Sequence, residues 1–179
     1  MDYTIRLAQR PDVRQLPAIE LAAAQQYQPY LAQLELTPEL LTEIAPVSFM
    51  LRSQTAGRLW VAEVAPDNAP KLVGFVLTRP LTHSFFIVEI DVLPDYGRCG
   101  IGSALMQIAC EAGAAQGLNT ITLTTFRHVP WTIPFYQRLG FTIMPPQQWD
   151  EELLAIVEHE ERYGFKREHR VVMVKGVKG

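Results

Sequence analysis

The chain is poor in the features that mark several functional classes. Its 179 residues contain two cysteines, Cys99 and Cys110, too few for a disulfide framework or a Cys/His zinc cluster. They read as free thiols in a reducing compartment. The four histidines, His83, His128, His159 and His169, lack metal-ligand spacing, so no metal is expected. There is no run of lysine and arginine, and the formal net charge is −3, which argues against a nucleic-acid partner. No apolar stretch approaches the roughly 20 residues of a membrane span. Met1-Asp2-Tyr3-Thr4 lacks the basic and apolar regions of a signal peptide. A cytoplasmic protein is therefore expected. Repeats and low-complexity linkers are also missing, so residues 1–179 read as one domain. With 48% hydrophobic and 20% charged residues, it has the composition of an ordinary globular protein.

The most informative stretch is Phe85–Gly117. Phe85, Phe86, Ile87, Val88, Ile90 and Val92 favour a strand, which Leu93-Pro94-Asp95 closes because proline cannot donate to a ladder. A glycine-rich turn follows, Tyr96-Gly97-Arg98-Cys99-Gly100-Ile101-Gly102. Ile101, Leu105, Ile108, Ala109 and Ala112 then recur as the apolar stripe of a helix, and Gly117 stands where a left-handed cap would end it. Strand, glycine turn and helix together place free backbone N–H groups and a positive dipole end beside a strand terminus, an anion site and above all a phosphate site. A P-loop needs Lys and then Ser or Thr after its last glycine, whereas Gly102 is followed by Ser103-Ala104. A dinucleotide fingerprint needs a third glycine where Leu105 stands. A plain tight turn between strand and helix stays open as the simpler reading.

The same stretch resembles the acyl-CoA loop of the GNAT acetyltransferases, which carries Gln or Arg, two variable residues, Gly, one variable residue, then Gly or Ala. Gly97-x-x-Gly100-x-Gly102 fits with one departure, Gly97 in place of Gln or Arg; Arg98 could supply the charge. Pro134-Phe135-Tyr136-Gln137-Arg138-Leu139-Gly140-Phe141 resembles the family's second signature, Phe-Tyr-x-x-x-Gly-Phe. Many members carry Asn seven residues before that tyrosine; Val129 stands here. The resemblance is strong over about residues 58–145. It implies a GNAT-like fold, acetyl-CoA as co-substrate, an amine acceptor and no metal.

In chain order, Tyr3–Ala8 reads as a strand and Arg10 to about Gln25 as a helix with Val13, Leu16, Ile19, Leu21 and Ala22 inward. Thr37-Pro38 is a helix start. Arg58–Val64 and Lys71–Thr78 read as antiparallel strands joined by a hairpin turn over Ala65–Pro70. Residues 118–126 form another strand, Pro130–Leu139 a short helix, Gly140–Met144 a strand, Trp149–Tyr163 a helix and His169–Lys175 the last strand. This gives an α/β (α+β) fold, a mixed, mostly antiparallel sheet of six to seven strands with helices on both faces.

Acetyl transfer from a thioester to an amine needs a neutral nucleophile, a polarised carbonyl, a protonated leaving thiolate and proximity. Strict alternation would put Phe86, Val88, Ile90 and Val92 on one face, and Ile87, Glu89 and Asp91 on the other, with the carboxylates about 7 Å apart. Carboxylates on a central strand are costly unless solvated or paired, so Glu89 is a candidate base; an ion pair with Arg6 or Arg58 is the structural alternative. By resemblance, Tyr136 is the general acid, and the Val92 N–H beside Asp91 meets the thioester carbonyl. The N–H groups of Arg98, Cys99, Gly100, Ile101, Gly102 and Ser103 would then hold the diphosphate. Tyr27, Tyr30 and Phe49 fall in the segment that lines the acceptor pocket in the family; covering the sheet is their other possible role. His128 is an alternative base, and Asp150, Glu151, Glu152, Glu158, Glu160 and Glu161 read as a solvated helix face. Two rivals are kept, a non-catalytic acyl-CoA sensor and an interaction module that retains only the fold. The acceptor is open among small amines and peptides, and a homodimer is compatible with the sequence.

Overall fold

The computed structural model describes residues 2–65 and 69–177. Seven strands form one sheet: β1 (Thr4–Leu7), β2 (Leu59–Val64), β3 (Lys71–Pro80), β4 (Phe85–Val92), β5 (Thr120–Phe126), β6 (Thr142–Met144) and β7 (Arg170–Gly176). Their spatial order is β1-β2-β3-β4-β5-β7-β6, and every neighbouring pair is antiparallel except β4 with β5. The expected mixed, mostly antiparallel sheet is therefore present. Of the hairpin turn between β2 and β3, Pro66, Asp67 and Asn68 lie outside the described residues.

The helices are α1 (Leu16–Ala24), a single turn α2 (Leu31–Leu34), α3 (Val47–Thr55), α4 (Ile101–Ala115), α5 (Thr132–Arg138) and α6 (Glu151–Arg162). On one face α4 buries Ile101, Leu105, Met106 and Ala109 against Val76, Phe85, Ile87 and Ile121. The buried stripe is rotated from the expected one, with Met106 and Cys110 fully inside and Ile108 and Ala112 only partly so. Gly117 does take a left-handed φ of +77°, and the Leu118 N–H closes back on Gly113 (3.0 Å), so α4 stops as its sequence indicates. On the opposite face α1 and α3 cover β2 and β3 through Leu16, Ile19, Met50 and Phe75, and α6 covers β4 and β7 through Leu153, Val157, Phe86 and Val172. Leu21 and Ala22, expected inward on α1, are only partly buried; Glu20 and Ala23 are buried instead.

Two irregularities shape the centre. The first is a bulge in β4. Leu77 lies opposite Glu89 and Thr78 opposite Ile87, which leaves Val88 without a partner. The extra residue reverses the alternation midway along the strand. Ile87, Ile90 and Val92 all join the α4 core, while Phe86 and Val88 face the α1 and α6 side. The alternation expected from sequence therefore fails for the hydrophobic residues. The second is a splay: β4 pairs with β5 only from Phe85↔Ile121 to Ile87↔Leu123, and beyond that the strands separate.

Among the described residues no helix is long and apolar enough to cross a membrane.

Candidate active site

The splay is bounded by two clefts that share Tyr27, Ile90, Asp91 and Tyr136. The first, of about 990 Å³, runs along the glycine turn; Arg98, Gly100, Gly102, Ser103, Phe135 and Arg138 help line it. Gly97 is extended (φ −63°), whereas Arg98 itself is left-handed (φ +59°), followed by Gly100 at φ +85°. A left-handed turn costs an L-residue about 1–2 kcal/mol, so here the strain falls on Arg98 and the departure at position 97 carries no backbone requirement. The Gly97 N–H is engaged by the Pro94 carbonyl (3.0 Å). The N-terminus of α4 has no side-chain cap, which leaves the first amides of the helix facing this groove. Ile101 is in the core and only its backbone reaches the turn; the Cys99 thiol is exposed and weakly donates to the Gly97 carbonyl (3.5 Å).

Leu93 donates to the Val73 carbonyl (2.8 Å), toward β3. By strand alternation the Val92 N–H points the other way, into the opening.

The second cleft, of about 230 Å³, lies under α1. Glu20, Glu43, Glu89, Asp91 and Glu160 line it together with Tyr27, Phe126, Phe165 and Arg170. Burial, reinforced by the nearby Glu20 charge, pushes the Glu89 carboxyl up to about 8. Burial likewise raises Asp91 well above the carboxylate range, with Glu89 and Glu20 adding to it. Burial raises Glu20 to about 7. Arg6 and Arg58 are not their partners. Arg6 is held by Asp12 and Glu63 at 2.6 Å each, and the Arg58 Nε is itself unpartnered. Among the described residues Arg170 is the one cation in the lining. It is bound to Glu160 (2.9 and 3.0 Å) and lies over the Phe126 ring, 4.6 Å from its centroid. Glu160 is thus part of a half-buried ion pair, not of the solvated helix face expected for its run; Glu152 of the same run accepts from the Thr82 N–H (2.6 Å), and Asp150 caps α6.

Tyr136 reaches both clefts from α5. Burial raises its phenol pKa, and the proximity of Tyr27, Glu89 and Asp91 adds to the effect. Tyr27 also reaches both clefts and packs edge-on against Phe126 (5.0 Å). Tyr30 lines neither cleft and packs against Trp131 (5.1 Å), and Phe49, on α3 itself, is half-buried against the core on that face and lines neither cleft. His128 lines neither cleft, its ring resting on His169 (5.5 Å). Val129, where the family often has Asn, is buried among Leu34, Leu36 and Phe126. Glu35, Glu168 and His169 bring ligand atoms within 4.8 Å of one another, but Lys166 already pairs with Glu35. Glu20 was missed by sequence reasoning. Its signal was a single acid inside the otherwise apolar run Leu-Pro-Ala-Ile-Glu-Leu-Ala-Ala-Ala.

A family model described as the acetyltransferase (GNAT) family matches residues 20–141. Among solved structures, the chain is similar to the PaiA N-acetyltransferase of Thermoplasma acidophilum in complex with coenzyme A (16% identity, TM-score 0.69, 98% of this chain and 99% of that one). It is similar to Ard1 of Thermoplasma volcanium (20%, TM-score 0.67, all of both chains). It is also similar to the ribosomal-protein-S18-alanine N-acetyltransferase of Escherichia coli (16%, TM-score 0.66, 99% and 96%). At such identities the likeness is one of fold.

Proposed function

The chain belongs to the acetyltransferase (GNAT) family, and from that premise we propose that it transfers an acetyl group from acetyl-CoA to a primary amine by direct attack, residues 1–179 acting as one domain. The observation that carries this reading is the meeting of two clefts at the β4/β5 splay, one beside a helix N-terminus and two arginines, the other lined with carboxylates.

The first cleft fits acyl-CoA. Its diphosphate would lie on the amides from Arg98 to Ser103, with the Arg98 and Arg138 side chains near, and the Val92 N–H would donate to the thioester oxygen. Bound there, acetyl-CoA supplies an activated acyl carbon. Glu89 would take one proton from the amine as its lone pair forms the C–N bond and the C–S electron pair leaves with sulfur. Tyr136 would give its proton to that sulfur, and the proton held by Glu89 restores the phenol through solvent. The products are an amide and CoA thiol. A carboxyl group near 8 suits this work better than an ordinary one, because proton transfer is most efficient when the base titrates near the working pH. The burial that raises the Tyr136 phenol also raises the basicity of a thiolate formed beside it, so the transfer between them stays balanced.

Calorimetric titration with acetyl-CoA, followed by thiol release against a panel of amines, tests the proposal. Micromolar binding with turnover that falls in Tyr136→Phe is expected. Binding without turnover of any amine would favour the sensor, and no binding would sink both.

A further inference from the structure

Glu20 is 7% exposed, and its two carboxylate oxygens are treated differently. Oε1 accepts the Ala45 N–H (2.8 Å), whereas Oε2 is buried with no hydrogen-bond partner among the described residues. Oδ2 of Asp91 is in the same condition. Both residues line the cleft under α1. A buried carboxylate oxygen without a donor costs about 1–3 kcal/mol, more when charged, so a fold that retains two of them around one small cavity has room for a donor from outside. Arg170, the only cation in the lining among the described residues, donates to neither oxygen; it is bound to Glu160 and Thr124 and lies over the rings of Phe126 and Phe165. Leu40, Leu41 and Tyr27 give one part of the wall an apolar surface, while Glu43, Thr124 and Thr125 add polar groups elsewhere. At about 230 Å³ the cavity is below the usual range of drug-sized pockets, roughly 300–1,000 Å³.

Resting on the acetyl-transfer reading above, we propose that the acceptor is a short alkyl chain with two cationic nitrogens, one acetylated at Glu89 and the other held as an ammonium by Glu20. The second ammonium supplies the donors that Oε2 lacks, and the aliphatic spacer lies along Leu40, Leu41 and Tyr27. An acceptor carrying its own carboxylate is disfavoured, because among the described residues the lining sets five acidic groups, Glu20, Glu43, Glu89, Asp91 and Glu160, against one cation, Arg170, which Glu160 already engages.

Matched probes test the assignment: diaminobutane, butylamine and aminobutanoate, equal in chain length and different only in the far group. Thiol release with the wild-type protein is expected to give diaminobutane a kcat/KM at least about tenfold above butylamine, the worth of one charge-assisted hydrogen bond, with aminobutanoate poorest. In Glu20→Gln, which keeps the acceptor for the Ala45 N–H, that advantage is expected to shrink to about threefold or less, mostly through KM. Butylamine used as well as diaminobutane, or an unchanged ratio in Glu20→Gln, would overturn the assignment. Calorimetric binding of the same amines reads the ratio without turnover. Preferential diamine binding by a protein that releases no thiol would sink the acetyl-transfer reading alone, and equal binding of the amines would sink this one.

Discussion

Two clusters of carboxylates, built from the same residue types, are treated in opposite ways. On the outer edge of the sheet, Arg6 of β1 reaches both Asp12 and Glu63 at 2.6 Å. Burial alone would push the Asp12 carboxyl up, but hydrogen bonds from Arg6 and from the Gln9 N–H more than offset it, and the group stays below its usual range. Under α1, Glu20, Glu89 and Asp91 have burial without a bound cation, and all three rise. The first arrangement ties the chain start to β2 and leaves nothing vacant. The second leaves one acceptor oxygen of Glu20 and one of Asp91 without a donor among the described residues. The two clusters thus differ in what already faces the carboxylates, and less in how deeply they lie.

The largest expected effect comes from breaking the unpaired cluster at its centre. Glu89→Gln should lower kcat by about a hundred- to ten-thousand-fold. It should also remove the limb near pH 8 from the kcat/KM profile, which in the wild type rises as the group deprotonates. Acetyl-CoA titration should still show binding. Breaking the paired cluster should do the reverse. Arg6→Ala should cost about 1–3 kcal/mol, between the values for exposed and for buried pairs because Arg6 is partly exposed. Chemical denaturation would read this, and the thiol-release rate per folded molecule should hardly change.

A smaller effect distinguishes the clusters by sign. Glu20 ionises near 4.5 when unfolded and near 7 when folded, so between those values the native state binds more protons and wild-type stability falls as pH rises. Glu20→Gln removes that slope. Its melting temperature should exceed the wild type's by a few degrees at pH 8, and the gap should close by pH 4. A Gln variant that melts lower at pH 8 would mean that Glu20 is satisfied after all. The smallest effect belongs to the groove. Gly97→Arg restores the charge usual in the family at a position already at φ −63°, where a Cβ meets only the Pro94 carbonyl oxygen at 3.1 Å. Acetyl-CoA should bind about two- to fivefold tighter, the size of one exposed charge contact.

Strands, α4 and the glycine turn were legible because period and punctuation are local. Ile101, Leu105 and Ala109 repeat at helical spacing, and Pro94 and Gly117 mark the ends. The faces of β4 were not legible. Phe-Phe-Ile-Val-Glu-Ile-Asp-Val contains nothing to mark Val88 as the extra residue, since the bulge is fixed by pairing with β3. Glu160 was misread for a related reason: its partner Arg170 lies on β7, and only the tertiary fold brings them together. Helix α3 went unassigned although Pro46 precedes Val47, Met50 and Leu51 at helical spacing, because the segment is short and half polar. Of the site residues, Glu89, Asp91, Tyr136 and Tyr27 do converge on the splay, while Tyr30 does not.

The splay also divides the sheet. Strands β1 to β4 and β5 to β7 are stitched to each other only between Phe85–Ile87 and Ile121–Leu123. Beyond that short seam the outward amides of β4, those of Ile90 and Val92, have no neighbouring strand to shield them. In deuterated water they should exchange far faster than the amides facing β3, and a pantetheine chain laid along them would slow them selectively. The co-substrate would then complete the sheet as its missing strand, and the exchange of two amides would report its arrival.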